Sequence, residues 1–239
     1  MNEQDQLTEL YNKYYTQDTL KNLKDIDKLS SPFVLDISEN YLKSPIRIMF
    51  VGKEVNKWEG ELDKSISDDS LVERMRRRYE KEFSDKTKWE KSPFFRTYLK
   101  IRESLTDDSQ GSVVWNNLLK FSYDTGKGFS KNSINHKGVV ELSKKIFQKE
   151  FEILKPDFMI FATSTGSGYD QKIIDFFPQK ISDSEIIEPK NLWKFKIGST
   201  ICYRTRHPNA TKFKGLKTVK QYYQDIIEDI KLVRTHTVS

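Results

Sequence analysis

Cysteine, proline, glycine and long apolar runs are all scarce in this chain. Its 239 residues include 1 cysteine, 7 prolines and 10 glycines. The single cysteine, Cys202, excludes a disulfide framework, an all-cysteine zinc site and an iron–sulfur cluster held by cysteines. No apolar run approaches the roughly 20 residues that a membrane helix requires, and the polar start Met1–Asp5 is unlike a secretory signal. We therefore expect a soluble, cytoplasmic protein with no membrane partner.

The composition fits a folded protein with a moderately basic surface. Hydrophobic residues make up 36% of the chain and aromatic residues 13%, which is enough to bury a core. Lysine and arginine together number 41 against 35 aspartates and glutamates, so the net charge is +6. This excess fits a polyanionic partner, but it indicates one only where the basic residues lie near a site.

Four short apolar runs have the composition of buried strands. They are separated by helical segments or long connections, which is typical of a parallel sheet with helices on both faces. The pattern predicts a three-layer α/β/α sandwich with a central, mainly parallel, four-stranded sheet. The four predicted strands are Ile46–Val51, Ser112–Asn116, Asp157–Thr163 and Thr200–Arg204.

Helical periodicity predicts the other elements. Residues 1–30 are expected to form an N-terminal helical extension, and residues 58–91 a charged, basic insertion. The chain has no internal repeat, low-complexity segment or linker, so residues 1–239 are predicted to form a single domain. Apolar residues at helical spacing predict helices over 4–28, 71–83, 138–154 and 217–233.

The insertion holds the densest basic cluster of the chain, on the predicted helix over residues 71–83. A charged run of this kind usually forms a solvated helix face, and we prefer that interpretation. The alternative is that the insertion shapes the entrance to a site. The cluster consists of Arg74, Arg76, Arg77 and Arg78.

Polar residues with useful chemistry follow three of the predicted strands. Glu54 can orient or deprotonate a water, Asn116 can pair with the edge of a nucleobase, and His207 can donate to a departing anion. Ligands in open α/β sheets bind beyond the carboxyl ends of the strands, so these side chains can converge on one pocket. Each residue alone also fits a structural role, as a solvated carboxylate, a helix cap or a hydrogen-bonded structural histidine.

The order and spacing of these residues resemble the uracil-DNA glycosylase superfamily. Gly52-Lys53-Glu54 resembles the Gly-x-Asp/Asn loop that ends the first strand of that family. Gly111–Leu119 resembles its apolar strand with a base-reading asparagine, which here is Asn116. His207-Pro208-Asn209-Ala210 is similar to its His-Pro-Ser motif, with asparagine at the position of the serine.

Two further motifs extend the resemblance. Pro93-Phe94 resembles a pair that supplies a stacking ring in some branches of the family. Leu154–Asp157 matches a common lead-in to the third strand. The resemblance therefore covers the chain from about Ile46 to Val233.

The resemblance implies a monofunctional DNA glycosylase. Such an enzyme flips out a damaged or modified base, here expected to be a pyrimidine, and hydrolyses its N-glycosidic bond to leave an abasic site. Glu54 would place the attacking water, His207 would donate to the leaving base, and Asn116 would pair with the Watson–Crick edge. Phe94 would stack on the base. The scheme needs no metal and no cofactor, and it predicts a monomer with DNA as its partner.

Basic residues flank the histidine motif and are expected to contact DNA phosphates. Phosphate contacts from lysine and arginine make nucleic-acid affinity salt-dependent. Ordinary surface charge is the alternative, but the position beside His207 favours DNA contact. The predicted contacts are Arg204, Arg206, Lys212, Lys214 and Lys217.

The chain also departs from the family pattern. Glu54 is longer than the usual aspartate or asparagine, and Val55 replaces a proline. Asn56 replaces a residue that is a tyrosine in the uracil-specific branch, where its ring blocks substituents at C5 of the pyrimidine. A smaller, polar residue predicts tolerance of, or preference for, a C5-modified pyrimidine, with Asn56 as a base-binding residue. No wedge leucine is evident, although Lys212 or Phe213 can replace it.

Two other functions stay open. A catalytically silent DNA-binding protein on the same fold would also explain the departures at Val55, Asn56 and Asn209. An unrelated hydrolase or nucleotide-binding protein ranks last. The Gly166-x-Gly168 turn lacks the lysine and the serine or threonine of a P-loop.

Overall fold

The protein has an α/β fold with a mixed six-stranded sheet and helices on both sides of it. The computed structural model describes residues 1–55, 58–83, 86–109, 111–124, 129–130, 133–164, 168–211 and 214–237, without the side chains of 86–88, 129–130 and 237. None of the helices within these ranges is long and apolar enough to cross a membrane.

The four predicted strands are present, but the predicted four-stranded, mainly parallel sheet is wrong. They are β1 (Ile48–Glu54), β2 (Val113–Leu119), β5 (Phe158–Phe161) and β8 (Thr200–Thr205). A hairpin of β6 (Ile181–Glu188) and β7 (Leu192–Ile197) extends the sheet, whose strand order is β2-β1-β5-β8-β7-β6. Strand β5 is parallel to β1 and β8, whereas β7 is antiparallel to β8 and β6. A separate antiparallel pair is formed by β3 (Tyr123–Asp124) and β4 (Phe129–Ser130).

The hairpin was missed because β6 has no buried face. Each of its eight residues is exposed or half-exposed, so the strand carries no apolar alternation. Strand β7, with the sequence LWKFKI, does alternate between buried and half-buried residues. That pattern is a strand signal, and it would have identified one half of the hairpin.

Ten α-helices are present in the described residues. The helix predicted over 4–28 is broken after Tyr14, because Thr16 caps a new helix by accepting a hydrogen bond from the Thr19 amide. The other three predicted helices are present at shifted ends. The helices are α1 (Glu3–Tyr14), α2 (Gln17–Lys21), α3 (Glu39–Lys43), α4 (Leu62–Ser65), α5 (Leu71–Glu82), α6 (Lys86–Lys91), α7 (Pro93–Leu105), α8 (Lys137–Leu154), α9 (Tyr169–Phe176) and α10 (Val219–Thr237).

The chain divides into two compact units, each assembled from three stretches of sequence. The single domain predicted over residues 1–239 stays a prediction. The first unit contains the described residues of 1–36, 53–84 and 117–154, and the second those of 37–52, 85–116 and 155–239.

The arginine cluster of α5 lies in the first unit and is neutralised by neighbouring acids. Helix α5 buries Leu71, Met75 and Tyr79 along one face, as an amphipathic helix does. Each arginine reaches at least one carboxylate, which favours the structural interpretation of the cluster over a role at a site entrance. The ion pairs are Arg74–Asp68, Arg76–Asp36, Arg76–Glu73, Arg77–Glu73, Arg78–Glu59 and Arg78–Glu82.

A buried charge pair joins three elements of the first unit. Lys120 follows β2 and is fully buried, and its Nζ lies 2.5 Å from Oε2 of the equally buried Glu150 on α8. Tyr11 of α1 donates to the other oxygen of Glu150 over 2.7 Å. Burial lowers the pKa of Lys120, and the adjacent carboxylate opposes that shift. Because both charges are enclosed by protein, each depends on the other to remain stable there.

Candidate active site

His207 lies just beyond the carboxyl end of β8, in the second unit. Its backbone N–H donates to Oγ of Ser164, over 2.7 Å, and Ser164 follows the neighbouring parallel strand β5. The preceding carbonyl, of Arg206, accepts from the hydroxyl of the buried Tyr223 on α10 over 2.7 Å. The Ala210 amide closes a turn on the His207 carbonyl at 2.8 Å. The histidine is therefore held at the sheet edge where ligands bind in α/β proteins.

The hydrogen bonds of the imidazole define its tautomer. The backbone N–H of Asn209 donates to Nδ1 of His207 over 3.2 Å. Because Nδ1 accepts this bond, it carries no proton, and the neutral ring has its N–H at Nε2. The neutral ring therefore donates from Nε2.

Phe94 lies against the imidazole. Helix α7 begins at Pro93, after the capping residue Ser92, which places Phe94 in its first turn. The rings of Phe94 and His207 are 5.6 Å apart between centroids and 24° apart in plane. The ring of Phe50, from the buried strand β1, supports Phe94 at 4.8 Å. Two residues that the sequence predicted for one site are thus in contact.

Asn116 is fully buried, but it does not end its strand as predicted. Strand β2 continues to Leu119, so Asn116 lies in the middle of it. Its Nδ2 lies 3.6 Å from Sδ of Met49, a weak acceptor. The preceding residue, Trp115, lies 6.2 Å from Phe94 between ring centroids. Successive side chains of a strand point to opposite faces, so Asn116 and Met49 lie on the face of the sheet opposite to Trp115 and Phe94. That Asn116 shares a pocket with Phe94 and His207 stays a prediction.

Glu54 is the last residue of β1 and is half-buried. It falls in the first unit, and its proximity to His207 stays a prediction. Asn56, Lys212 and Phe213 lie outside the described residues.

The predicted phosphate contacts fall into two groups. Arg204 is only 4% exposed, with Nε 2.9 Å from Oδ1 of Asp170 and its guanidinium over the ring of Trp193. Burial raises the pKa of Asp170, and Arg204 opposes the shift. Arg204 is thus buried and paired with an acid, and its contact with a DNA phosphate stays a prediction. Arg206 is half-buried, whereas Lys214 and Lys217 are exposed.

Sequence reasoning missed one exposed apolar residue, Leu216, which follows the His207 motif in the sequence. Leu216 is 90% exposed and lies between the two exposed lysines, Lys214 and Lys217. A lone leucine between lysines has no periodicity, so the sequence carries no signal that separates it from an ordinary loop residue.

No protein-family model and no curated protein matches the chain. Within the described residues, no group of three or more histidine, cysteine, aspartate or glutamate side chains is placed to hold a metal ion. The function is therefore argued from the motifs and from the geometry around His207.

Proposed function

We propose that the protein is a monofunctional DNA glycosylase similar to the uracil-DNA glycosylase superfamily. It flips a modified pyrimidine out of DNA and hydrolyses the N-glycosidic bond, leaving an abasic site. Its proposed partner is DNA, and we propose that it acts as a cytoplasmic monomer. The observation that carries the proposal is the near-parallel packing of Phe94 and His207.

This packing suits an extruded base. A base that stacks on Phe94 lies nearly parallel to the imidazole, because the two rings are only 24° apart in plane. We propose that the base lies beside the imidazole, so that His207 meets its edge. Asn209 leaves the ring proton on Nε2, so His207 donates to a base oxygen as negative charge accumulates there.

The magnitudes are consistent with catalysis by base extrusion. Unstacking and unpairing a nucleotide costs a few kcal/mol. Stacking on an aromatic ring such as Phe94 returns about 1–3 kcal/mol per base. A donor aimed at the developing anion contributes about 3–4 kcal/mol in the transition state, which is where His207 acts. In the same scheme Glu54 places the water and stabilises the cationic sugar, and Asn116 reads the base edge.

The segment after His207 supplies the proposed DNA contact. Leu216 is exposed and flanked by Lys214 and by Lys217, whose Nζ lies 2.7 Å from Oδ2 of Asp225. Apolar side chains that insert between base steps hold a duplex open, and nearby lysines bind its phosphates. We assign these two roles to Leu216 and its neighbouring lysines.

The proposed substrate is a pyrimidine modified at C5. Asn56 is smaller than the tyrosine of the uracil-specific branch and carries its own donors and acceptor. A polar pocket left unpaired disfavours the smaller, unmodified base.

The proposal is tested by incubating the protein with oligonucleotides that carry uracil or a panel of C5-substituted pyrimidines, followed by alkaline cleavage. We expect strand breaks at one or more substituted bases, and faster release of these than of uracil. Rapid release of uracil with refusal of every substituted base would contradict the substrate assignment. Salt-dependent DNA binding without abasic sites on any substrate would favour the catalytically silent DNA-binding protein.

A further inference from the structure

One asparagine binds both ends of the segment that carries His207. Asn191 is 2% exposed and immediately precedes β7. Its Oδ1 accepts a hydrogen bond from Nε of Arg206 over 2.7 Å. Its Nδ2 donates to the carbonyl of Lys214 over 3.0 Å. The two ends of segment 206–214 are thus joined by a single side chain.

Glu188, the last residue of β6, completes this connection. Its Oε1 accepts from Nδ2 of Asn191 over 2.5 Å and from the backbone N–H of Leu216 over 3.0 Å. Its Oε2 accepts from the hydroxyl of Tyr222 on α10 over 2.7 Å. The Tyr222 hydrogen bond is the main cause that lowers the pKa of Glu188, with Leu216, Asn191 and Lys217 acting in the same direction. The carboxylate is therefore kept ionised as an acceptor.

We propose that Asn191 and Glu188, which we call the hairpin clasp, are positioning residues. They fix the two described parts of the segment, residues 206–211 and 214–216, and thereby the imidazole of His207. The effect on catalysis rests on the proposed function, whereas the effect on the segment does not. The β6–β7 hairpin, which the predicted four-stranded sheet lacks, then helps to position the candidate active site.

The chemistry of the clasp is selective. Arg206 offers only N–H donors, and the Lys214 carbonyl is only an acceptor, so one side chain serves both only if it carries an acceptor and a donor. An amide does so, whereas a carboxylate at position 191 would have its second oxygen facing Glu188. Three groups therefore favour an amide at position 191: the guanidinium of Arg206, the carbonyl of Lys214 and the carboxylate of Glu188.

The clasp also explains how an exposed segment holds a catalytic group. Residues 214–218 are all exposed, so few packing contacts restrain that end of the segment. Catalytic groups need to be held within about 0.5 Å of their working position, and a misplacement of about 1 Å costs on the order of 100-fold in rate. Hydrogen bonds at both ends of the segment supply this restraint.

The test compares Asn191→Ala with Ser184→Ala in the full chain. Ser184 lies on the same hairpin and accepts a hydrogen bond from Nε1 of Trp193 over 2.9 Å, but it does not touch the clasp. We expect Asn191→Ala to raise the hydrogen-exchange rates of the Leu216 and Ala210 amides at least tenfold. We expect Ser184→Ala to leave both unchanged.

A second measurement is the rate of excision of the base that the oligonucleotide panel identifies as a substrate. It distinguishes the loss of His207 positioning from a general loss of fold stability. Asn191→Ala should lower the single-turnover rate about 10- to 100-fold while DNA affinity stays within about twofold, as expected for a loss confined to the transition state. Asn191→Asp should be slower still, and adding Glu188→Gln to it should restore part of the rate because the two carboxylates no longer face each other.

Unchanged hydrogen exchange and an unchanged excision rate in Asn191→Ala, or equal changes in Ser184→Ala, would overturn the proposed role of the clasp. Faster exchange in Asn191→Ala, with no excision by the unaltered chain on any base, would support the clasp and refute the proposed function.

Discussion

The imidazole of His207 lies 5.6 Å from the ring of Phe94, and the hydrogen bond from the Asn209 amide leaves its proton on Nε2. The two rings come from the first turn of α7 and from the residues after β8, which are far apart in the sequence. Their contact places an aromatic ring beside an imidazole whose N–H is at Nε2. The proposed function uses the Phe94 ring to stack an extruded base and the imidazole N–H to donate to it.

Replacing Phe94 by alanine removes the stacking surface. We expect base release to fall about 5- to 150-fold, because stacking on an aromatic ring contributes about 1–3 kcal/mol per base. Single-turnover excision measures the loss, and Phe94→Tyr, which keeps the ring, is the matched control. Equal losses in both variants would contradict a stacking role.

Replacing Leu216 by alanine should affect double-stranded DNA selectively. The wedge is needed only where a partner strand must be kept apart, so excision from a duplex should fall while excision from a single strand stays within about twofold. Leu232→Ala is the control, because Leu232 is an exposed leucine (59%) near the end of α10, outside the segment of Lys214 and Lys217. A parallel loss on both substrates would contradict the wedge assignment.

The sequence predicts those elements that have a buried, apolar pattern. Strands β1, β2, β5 and β8 were found because each is a buried run, whereas β6 has no buried face to reveal it. Phe94 and His207 were found by motif.

Other features depend on contacts between distant residues. The charge of Arg204 is visible in the sequence, but its burial against Asp170, a residue of α9, is not. Asn191 and Glu188 also act through partners that no local pattern identifies.

Asp36 should give folding stability a pH dependence. Burial raises its pKa from 3.8 to about 6, Arg76 opposes the shift, and Glu80 and Glu73 add to it. A raised folded-state pKa means that the stabilisation is fully present below about pH 4 and is lost as pH rises through 6. The free energy of unfolding of Asp36→Asn, measured with urea, should therefore rise relative to that of the unaltered chain between pH 4 and about 7. Unfolding free energies of the two proteins that change in parallel with pH over that range would contradict the raised pKa of Asp36.

Breaking the pair of Lys120 and Glu150 should strongly destabilise the fold. Glu150→Ala leaves a buried ammonium without its partner, at a cost of about 3–5 kcal/mol in unfolding free energy. Replacing the whole network, by Lys120→Met with Glu150→Leu and Tyr11→Phe, should recover part of that loss because no buried charge is left unpaired. The recovery is incomplete because the Leu35 amide loses the Tyr11 hydroxyl that accepts from it. Urea unfolding measures both. A triple variant as unstable as Glu150→Ala would contradict this account.

The most direct test of the central claim is the single-turnover rate of base release by His207→Ala and Glu54→Gln, measured beside DNA affinity. Both residues are assigned to charge that develops in the transition state, so we expect each rate to fall by orders of magnitude while affinity is nearly unchanged. The affinity of the unaltered chain should itself fall steeply with salt, because lysines bind phosphates. Equal losses of affinity and rate in the two variants, or a flat salt response, would contradict a DNA glycosylase with His207 as its donor.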